Sequence, residues 1–328
     1  MKITLAHGSG GKATSELIHE IFANRFNNPV LAKMEDSAVV PGAETIAMTT
    51  DSFVVTPVFF PGGNIGRLSV CGTVNDLLMN GAEPKYLTCG FIIEEGADSE
   101  ALACIADSMA ETAREAGVSL VAGDTKVIDG KGGVYINTAG VGFVPRGRVV
   151  SASQCETGDV VLLSGYLGEH HAAILSSRMG IENQIQSDCA PLNEIVNALF
   201  RAGVRVKAMR DVTRGGLATV LNEFAQSSGC CIELEEDRLP VSQAVKGFCG
   251  ILGLDPLYMG NEGKLVAVVE REDAEKALQA MRSAQYGANA AQIGSVISGQ
   301  TGTVLVKTGI GGTRIVTELY GEGLPRIC

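Results

Sequence analysis

The stretch KYLTCGFIIEEGADSEALACIADSMAETAREAGVSLVA, residues 85–122, reads as strand, helix, strand. Lys85–Ile93 predicts the first strand. Asp98 or Ser99 is placed to cap a helix over Ala101–Ala116, whose Leu102, Ile105, Met109 and Ala113 fall on one stripe and which Gly117 ends. Ser119–Ala122 predicts the next strand.

Outward from this unit the texture repeats. Thr45–Val55 and Val134–Val144 read as strands, and Arg67–Asn80 as a helix that stops at Gly81. The second half begins near Ser151, with strands at Asp159–Leu163, Lys264–Val269 and Ala290–Val296. Its helices are expected at Leu192–Arg201, Leu217–Gln226 and Asp273–Ala284. The pattern predicts an α/β (α+β) chain of two domains: residues 1–150, then 151–308, with a boundary at Pro145–Gly158. Residues 309–328 read as a glycine-rich flexible tail ending in Pro325-Arg326-Ile327-Cys328. Eight residues from Gly321 reach roughly 26–29 Å when extended, enough for Cys328 to enter and leave a pocket. The same tail also reads as a frayed terminus.

Composition narrows the function. The 328 residues are 45% hydrophobic and 19% charged, which suits two buried cores. A net charge of −11 argues against a general nucleic-acid or anionic-membrane surface. No apolar run approaches the roughly 20 residues of a membrane span, and Met1-Lys2 leads into no signal-like apolar segment. Nine scattered cysteines with no Cys-x-x-Cys pair fit a reducing cytoplasm.

Three acids stand out in the first half. Asp51 and Asp124 follow strand-like runs, and Asp76 follows Asn75 on the helix, about 160° from the Leu68–Cys71–Val74–Leu78 stripe. Together, converging, they would hold Mg²⁺; singly, each is more readily a turn or cap residue. His7-Gly8-Ser9-Gly10-Gly11 offers unobstructed backbone N–H groups, as a phosphate cradle requires, though it lacks the Walker spacing. Asp211–Gly216 is a second glycine-rich turn leading into a helix. Lys126 and Glu262 are the candidate proton handlers. His170-His171 is read as non-catalytic, since adjacent side chains diverge on a helix.

These pieces, in the order His7–Gly11, Thr50-Asp51-Ser52, Phe59–Gly66, Asn75-Asp76, Gly123-Asp124-Thr125-Lys126-Val127, Asp211–Gly216, Asn261-Glu262-Gly263-Lys264 and the final Pro-Arg-Ile-Cys, resemble the HypE family of nickel-iron hydrogenase maturation proteins. The resemblance covers essentially the whole chain. It implies the two-domain fold of the ATP-using group that includes aminoimidazole ribonucleotide synthetase and selenophosphate synthetase, and a homodimer whose N-terminal domains form a barrel. It also implies a carbamoyl group placed on Cys328 by the carbamoyltransferase HypF. ATP-dependent dehydration of that group to a thiocyanate would follow, with delivery of the cyano group to iron on a HypC–HypD scaffold. By position, Asp51, Asp76 and Asp124 match the Mg²⁺ and phosphate acids, and Asn75 and Thr125 belong with the ATP-binding set. His7, Gly8, Ser9, Gly10 and Gly11 match the phosphate cover, and Lys126 and Glu262 the charged pair near the reacting group. Two other readings remain: a selenophosphate synthetase-like kinase, disfavoured because the first cysteine is Cys71, and a non-catalytic adaptor docking through its C-terminal peptide.

Overall fold

The computed structural model describes residues 2–318 and 328. The first domain is built on a four-stranded sheet, in the order β1 (Ile46–Phe53), β6 (Val134–Phe143), β4 (Glu83–Glu94), β5 (Ser119–Ile128). A short helix α1 (Lys12–Leu17) precedes it, and the small hairpin β2 (Phe59–Phe60) and β3 (Gly63–Asn64) leads into α2 (Ile65–Met79). Asn64 caps α2 by accepting from the backbone N–H groups of Gly66 and Arg67, so the helix starts two residues before Arg67.

The stretch quoted above folds as β4, then α3 (Ser99–Glu115), then β5, with β4 and β5 paired in parallel. Asp98 is the cap, accepting from Glu100 N–H at 2.8 Å, and Gly117 ends the helix in the left-handed region at φ +67°. The expected stripe is buried, and α3 packs chiefly against α2.

The second domain is a seven-stranded sheet of order β13 (Thr313–Val316), β12 (Thr303–Lys307), β9 (Cys231–Glu235), β11 (Ala291–Ile297), β7 (Val160–Leu163), β10 (Leu265–Val269), β8 (Val206–Asp211). Its helices are α4 (Glu169–Met179), α5 (Asn193–Arg201), α6 (Gly216–Ser228), α7 (Gln243–Leu252) and α8 (Ala274–Ser283). β7 and β10 are buried on both faces and read as continuous apolar runs, Val160-Val161-Leu162-Leu163 and Leu265-Val266-Ala267-Val268-Val269. β8 and α4 went unread in the sequence. β8 carries Lys207, Arg210 and Asp211 among its apolar residues, and α4 has no clean apolar stripe.

α2 decides how the domains meet. It packs against β1 and β6 on one side and against β8 and α5 on the other. Nearly all of it is buried, polar positions such as Ser69, Thr73 and Asn75 included. The face of α2 turned away from its own sheet is therefore the face that meets the second domain. One apolar cluster runs from Leu68 and Met79 through to Val206, Met209 and Leu265, and it includes Cys328.

Candidate functional site

A cavity of about 150 Å³ lies where the two domains meet around α2. Its wall is formed by Thr50, Asp51, Gly72, Asp76, Asp211, Thr213, Arg214, Glu262 and Cys328. Asp51 projects from the helix-facing side of β1, two residues before the buried Phe53. Gly72 lets α2 close over it, because a Cβ there would stand 2.8 Å from the Phe53 ring. Asp76 projects from the last turn of α2 and accepts from Thr49 Oγ1 at 2.8 Å. Asp211 ends β8, and Thr213 and Arg214 follow in the turn that enters α6. That turn needs its glycines, since Gly215 and Gly216 adopt φ +78° and +64°. Glu262 sits in the loop before β10, only 4% exposed, and Cys328 is 8% exposed.

The electrostatics of this wall are one-sided. Among the described residues it carries four carboxylates (Asp51, Asp76, Asp211 and Glu262) against one guanidinium, Arg214. Burial pushes the Asp211 carboxyl up to about 7, helped by the negative charge of Asp76. Burial also raises Asp51, against the opposing pull of the Ser52 N–H and Arg214. It raises Asp76 too, against the Thr49 hydroxyl and with Asp51 adding to the rise. Glu262 is lifted well above the usual carboxylate range, first by burial and then by its proximity to Cys189, Asp211, Asp188 and Asp51. Such a cavity holds protons that ordinary carboxylates release, and it favours hard cations.

Asp124, expected as the third metal acid, does not join this wall. Asp51 pairs across β6 with Thr138, Thr138 across β4 with Cys89, and Cys89 across β5 with Gly123. Three strand spacings, about 14 Å, therefore separate Asp51 from the Gly123–Asp124 position. Asp124 belongs to the neighbouring row with Gly90, Asn137 and Ser52, on the opposite face of the sheet. Its carboxylate pairs with Lys126 Nζ at 2.8 Å, both side chains more than half exposed. That hydrogen bond holds Asp124 below the usual carboxylate value. Lys126 thus stands across the sheet from Glu262, not beside it. Thr125 turns inward and, with Gly123 and Asp124, edges a cavity of about 200 Å³ of mixed polarity, lined also by Phe22, Phe26, Leu31, Glu35 and Asp36. The His7–Gly11 stretch packs against β5 at its Gly8: a Cβ there would meet Val127 N at 2.6 Å. The Asn75 amide is engaged with the second domain. Nδ2 donates to Ala190 O at 3.1 Å and Glu262 O at 3.5 Å, and Oδ1 accepts from Leu192 N at 2.9 Å.

Two sequence models match in tandem, AIR synthase related protein, N-terminal domain over residues 34–144 and AIR synthase related protein, C-terminal domain over 156–307. The carbamoyl dehydratase HypE of Rhodobacter capsulatus is 47% identical over 100% of this chain and 98% of its own length. That of Escherichia coli K12 is 48% identical over 99% of each. The chain belongs to the HypE family of carbamoyl dehydratases. A crystal structure of hydrogenase maturation protein HypE in complex with ATP matches at a TM-score of 0.95, with 44% identity over 99% of both chains. The HypE chain of a HypE–HypF complex matches at 0.81, with 48% identity over 92% of this chain and 99% of that one. A thiamine-monophosphate kinase from Stenotrophomonas maltophilia, at 21% identity and a TM-score of 0.68, shares the fold.

Seen as a HypE-family chain, its sequence understated two wall residues. Asp211 and Arg214 were legible only as parts of a glycine-rich turn, because the turn signal in Gly215-Gly216 masked the carboxylate before it. Asp188 carried no signal at all: Ser187-Asp188-Cys189 reads as loop, and its side chain is buried against Asn261 and Lys264, far away in sequence.

Proposed function

We propose that this chain uses ATP to dehydrate an S-carbamoyl group on Cys328 to a thiocyanate, the source of the cyanide ligand of a nickel-iron hydrogenase. The observation that carries this reading is the seat of Cys328, in one small cavity with Glu262 and with Asp51, Asp76 and Asp211.

The wall suits Mg²⁺ and phosphate chemistry. Asp51, Asp76 and Asp211 supply hard oxygen donors, with Asp211 in the place the sequence reading gave to Asp124. Among the described residues no three acids stand close enough to chelate an ion by themselves. This is the usual Mg²⁺ arrangement, in which phosphate oxygens complete the set. Bound Mg-ATP supplies the phosphoryl group that turns the carbamoyl oxygen into a leaving group. Glu262, in its ionised form, takes the last N–H proton as the C≡N bond forms and phosphate leaves, the first having left as the oxygen was phosphorylated; burial raises its affinity for that proton. Carrying the substrate on the buried Cys328 makes the step intramolecular and limits the access of bulk water to the activated group.

Lys126 and Asp124 act, in this reading, across a homodimer. The outer face of the four-stranded sheet carries them together with the exposed apolar side chains Ile46, Met48, Ile92 and Ile128. An uncovered apolar sheet face calls for a second sheet, and two such faces packed together form the proposed barrel. A HypF-type carbamoyltransferase supplies the carbamoyl group, and a HypC–HypD scaffold receives the cyano group. Of the tail read at 309–328, Thr313–Val316 is strand β13 of the second sheet, and 319–327 lie outside the described residues.

The deciding experiment is the mass of the C-terminal peptide after incubation with HypF, carbamoyl phosphate and Mg-ATP. A carbamoyl adduct on Cys328 that loses one water only with hydrolysable ATP supports the reading. An unmodified Cys328, with a competent transferase control, overturns it and leaves the adaptor.

A further inference from the structure

We infer that Asn75 and Asp188 are positioning residues for Glu262, one from each domain, acting through the segment 188–192; this rests on the dehydratase reading, in which Glu262 is the base.

Both ends of the Glu262 peptide are held by that segment or its anchors. The Glu262 N–H donates to Asp188 Oδ1 at 3.2 Å. The Glu262 carbonyl accepts from Ala190 N at 3.3 Å and from Asn75 Nδ2 at 3.5 Å. Asn75 also holds the segment itself, through Ala190 O at 3.1 Å and Leu192 N at 2.9 Å. It does so from α2 of the first domain, at 2% exposure. Only a carboxamide offers the donors and the acceptor this requires within one short side chain. Gly263 lets the two strands of chain touch, for a Cβ there would fall 1.9 Å from Asp188 O.

Asp188 anchors the other side. Its Oδ2 accepts from Asn261 Nδ2 at 2.9 Å and pairs with Lys264 Nζ at 3.2 Å. One carboxylate thus fixes residues 261, 262 and 264. The pair is buried, with side-chain exposures of 1% for Asp188 and 9% for Lys264. Burial opposes ionisation of Asp188, but Lys264, then His170, Asn261 and the Glu262 N–H outweigh it and keep the carboxylate charged. Neither Asp188 nor Lys264 is part of the Cys328 wall. Both line a separate cleft of about 550 Å³ on the other side of the segment, with Glu169 and Arg67. They act on the reaction only by setting where Glu262 stands, and a displacement near 1 Å costs a base about 100-fold.

The test measures the maximal rate of dehydration of carbamoylated Cys328 and the ATP concentration giving half that rate. The variants are Asn75→Ala and the paired Asp188→Asn/Lys264→Gln, which removes both charges together so that neither is left buried alone. The expected result is a maximal rate lower by about 10- to 100-fold. The half-saturating ATP concentration should stay within about twofold, and loading by HypF should be complete. A raised ATP requirement with an unchanged rate for Asn75→Ala would make it a nucleotide ligand, and an unchanged rate in both variants would make the clamp idle. Loss of the circular dichroism spectrum in both would make the residues purely structural. Each of these outcomes overturns the inference. Glu262→Gln is run alongside: if it dehydrates at the full rate, the dehydratase assignment of Glu262 fails first, and that failure is separate from the clamp's.

Discussion

Two regions of the first domain carry the acids that the sequence groups together, and they sit in opposite physical states. At the domain junction Asp51 and Asp76 meet Asp211 and Glu262 with one guanidinium among them, and burial raises every one of the four carboxyls. At the outer strand Asp124 stands in solvent beside Lys126, which holds its proton affinity down. The first region stores unfavourable charge that Mg²⁺, a proton or a substrate can relieve; the second is already neutralised and solvated. The difference teaches that Asp residues of one domain acquire their chemistry from what the second domain lays over them.

The largest expected effect is at the junction. Glu262→Gln should slow dehydration by about 10²–10⁴-fold, the usual share of a general base, while carbamoylation of Cys328 proceeds. The C-terminal peptide would then accumulate as the carbamoyl adduct. Full thiocyanate formation would remove Glu262 from the base's role.

The next experiment asks whether the outer strand works on the junction of a second copy. Glu262→Gln and Lys126→Ala proteins, each impaired alone, should recover about a quarter of the wild-type activity when co-expressed, because mixed dimers hold one intact site. No recovery, with mixed dimers present, would mean that Lys126 serves its own protomer or none.

The stored charge should also show as pH dependence without ligands. Asp211 titrates near 3.8 when unfolded and near 7 when folded, so the native state holds the extra proton between those values. The stability it confers is complete below pH 4, declines through the window from 4 to 7, and is gone above it. Glu262, also raised by burial, acts in the same sense. The ligand-free protein should therefore melt lower at pH 8 than at pH 5. Asp211→Asn should flatten that slope by an amount on the order of a few kcal/mol, and Mg-ATP should restore the melting temperature at pH 8. A slope unchanged by Asp211→Asn would mean that the crowding is relieved in solution.

The smallest effect belongs to the outer strand. Asp124→Asn removes an ion pair that is exposed in the single protomer and should change that protomer's stability by less than about 0.5 kcal/mol. A drop of several kcal/mol in a chemical-denaturation curve would show that Asp124 is buried in the working assembly.

The sequence by itself determined the local units. The capped and striped helix α3, its parallel neighbours β4 and β5, and the apolar runs of β7 and β10 follow from periodicity and caps, which act within a few residues. It also displayed the motifs that mark the family, and with them Cys328, Glu262, Asp51 and Asp76. Only the tertiary structure decided which of those motifs share a cavity. Strand order put two strands between Asp51 and the Asp124 position, and the pleat turned Asp124 to the other face. The junction brought in Asp211 from a turn that looked merely glycine-rich, and it spent Asn75 on the backbone of the second domain. Caps and stripes are short-range and leave a trace in the residue order; convergence across a domain interface depends on distances that sequence spacing does not encode.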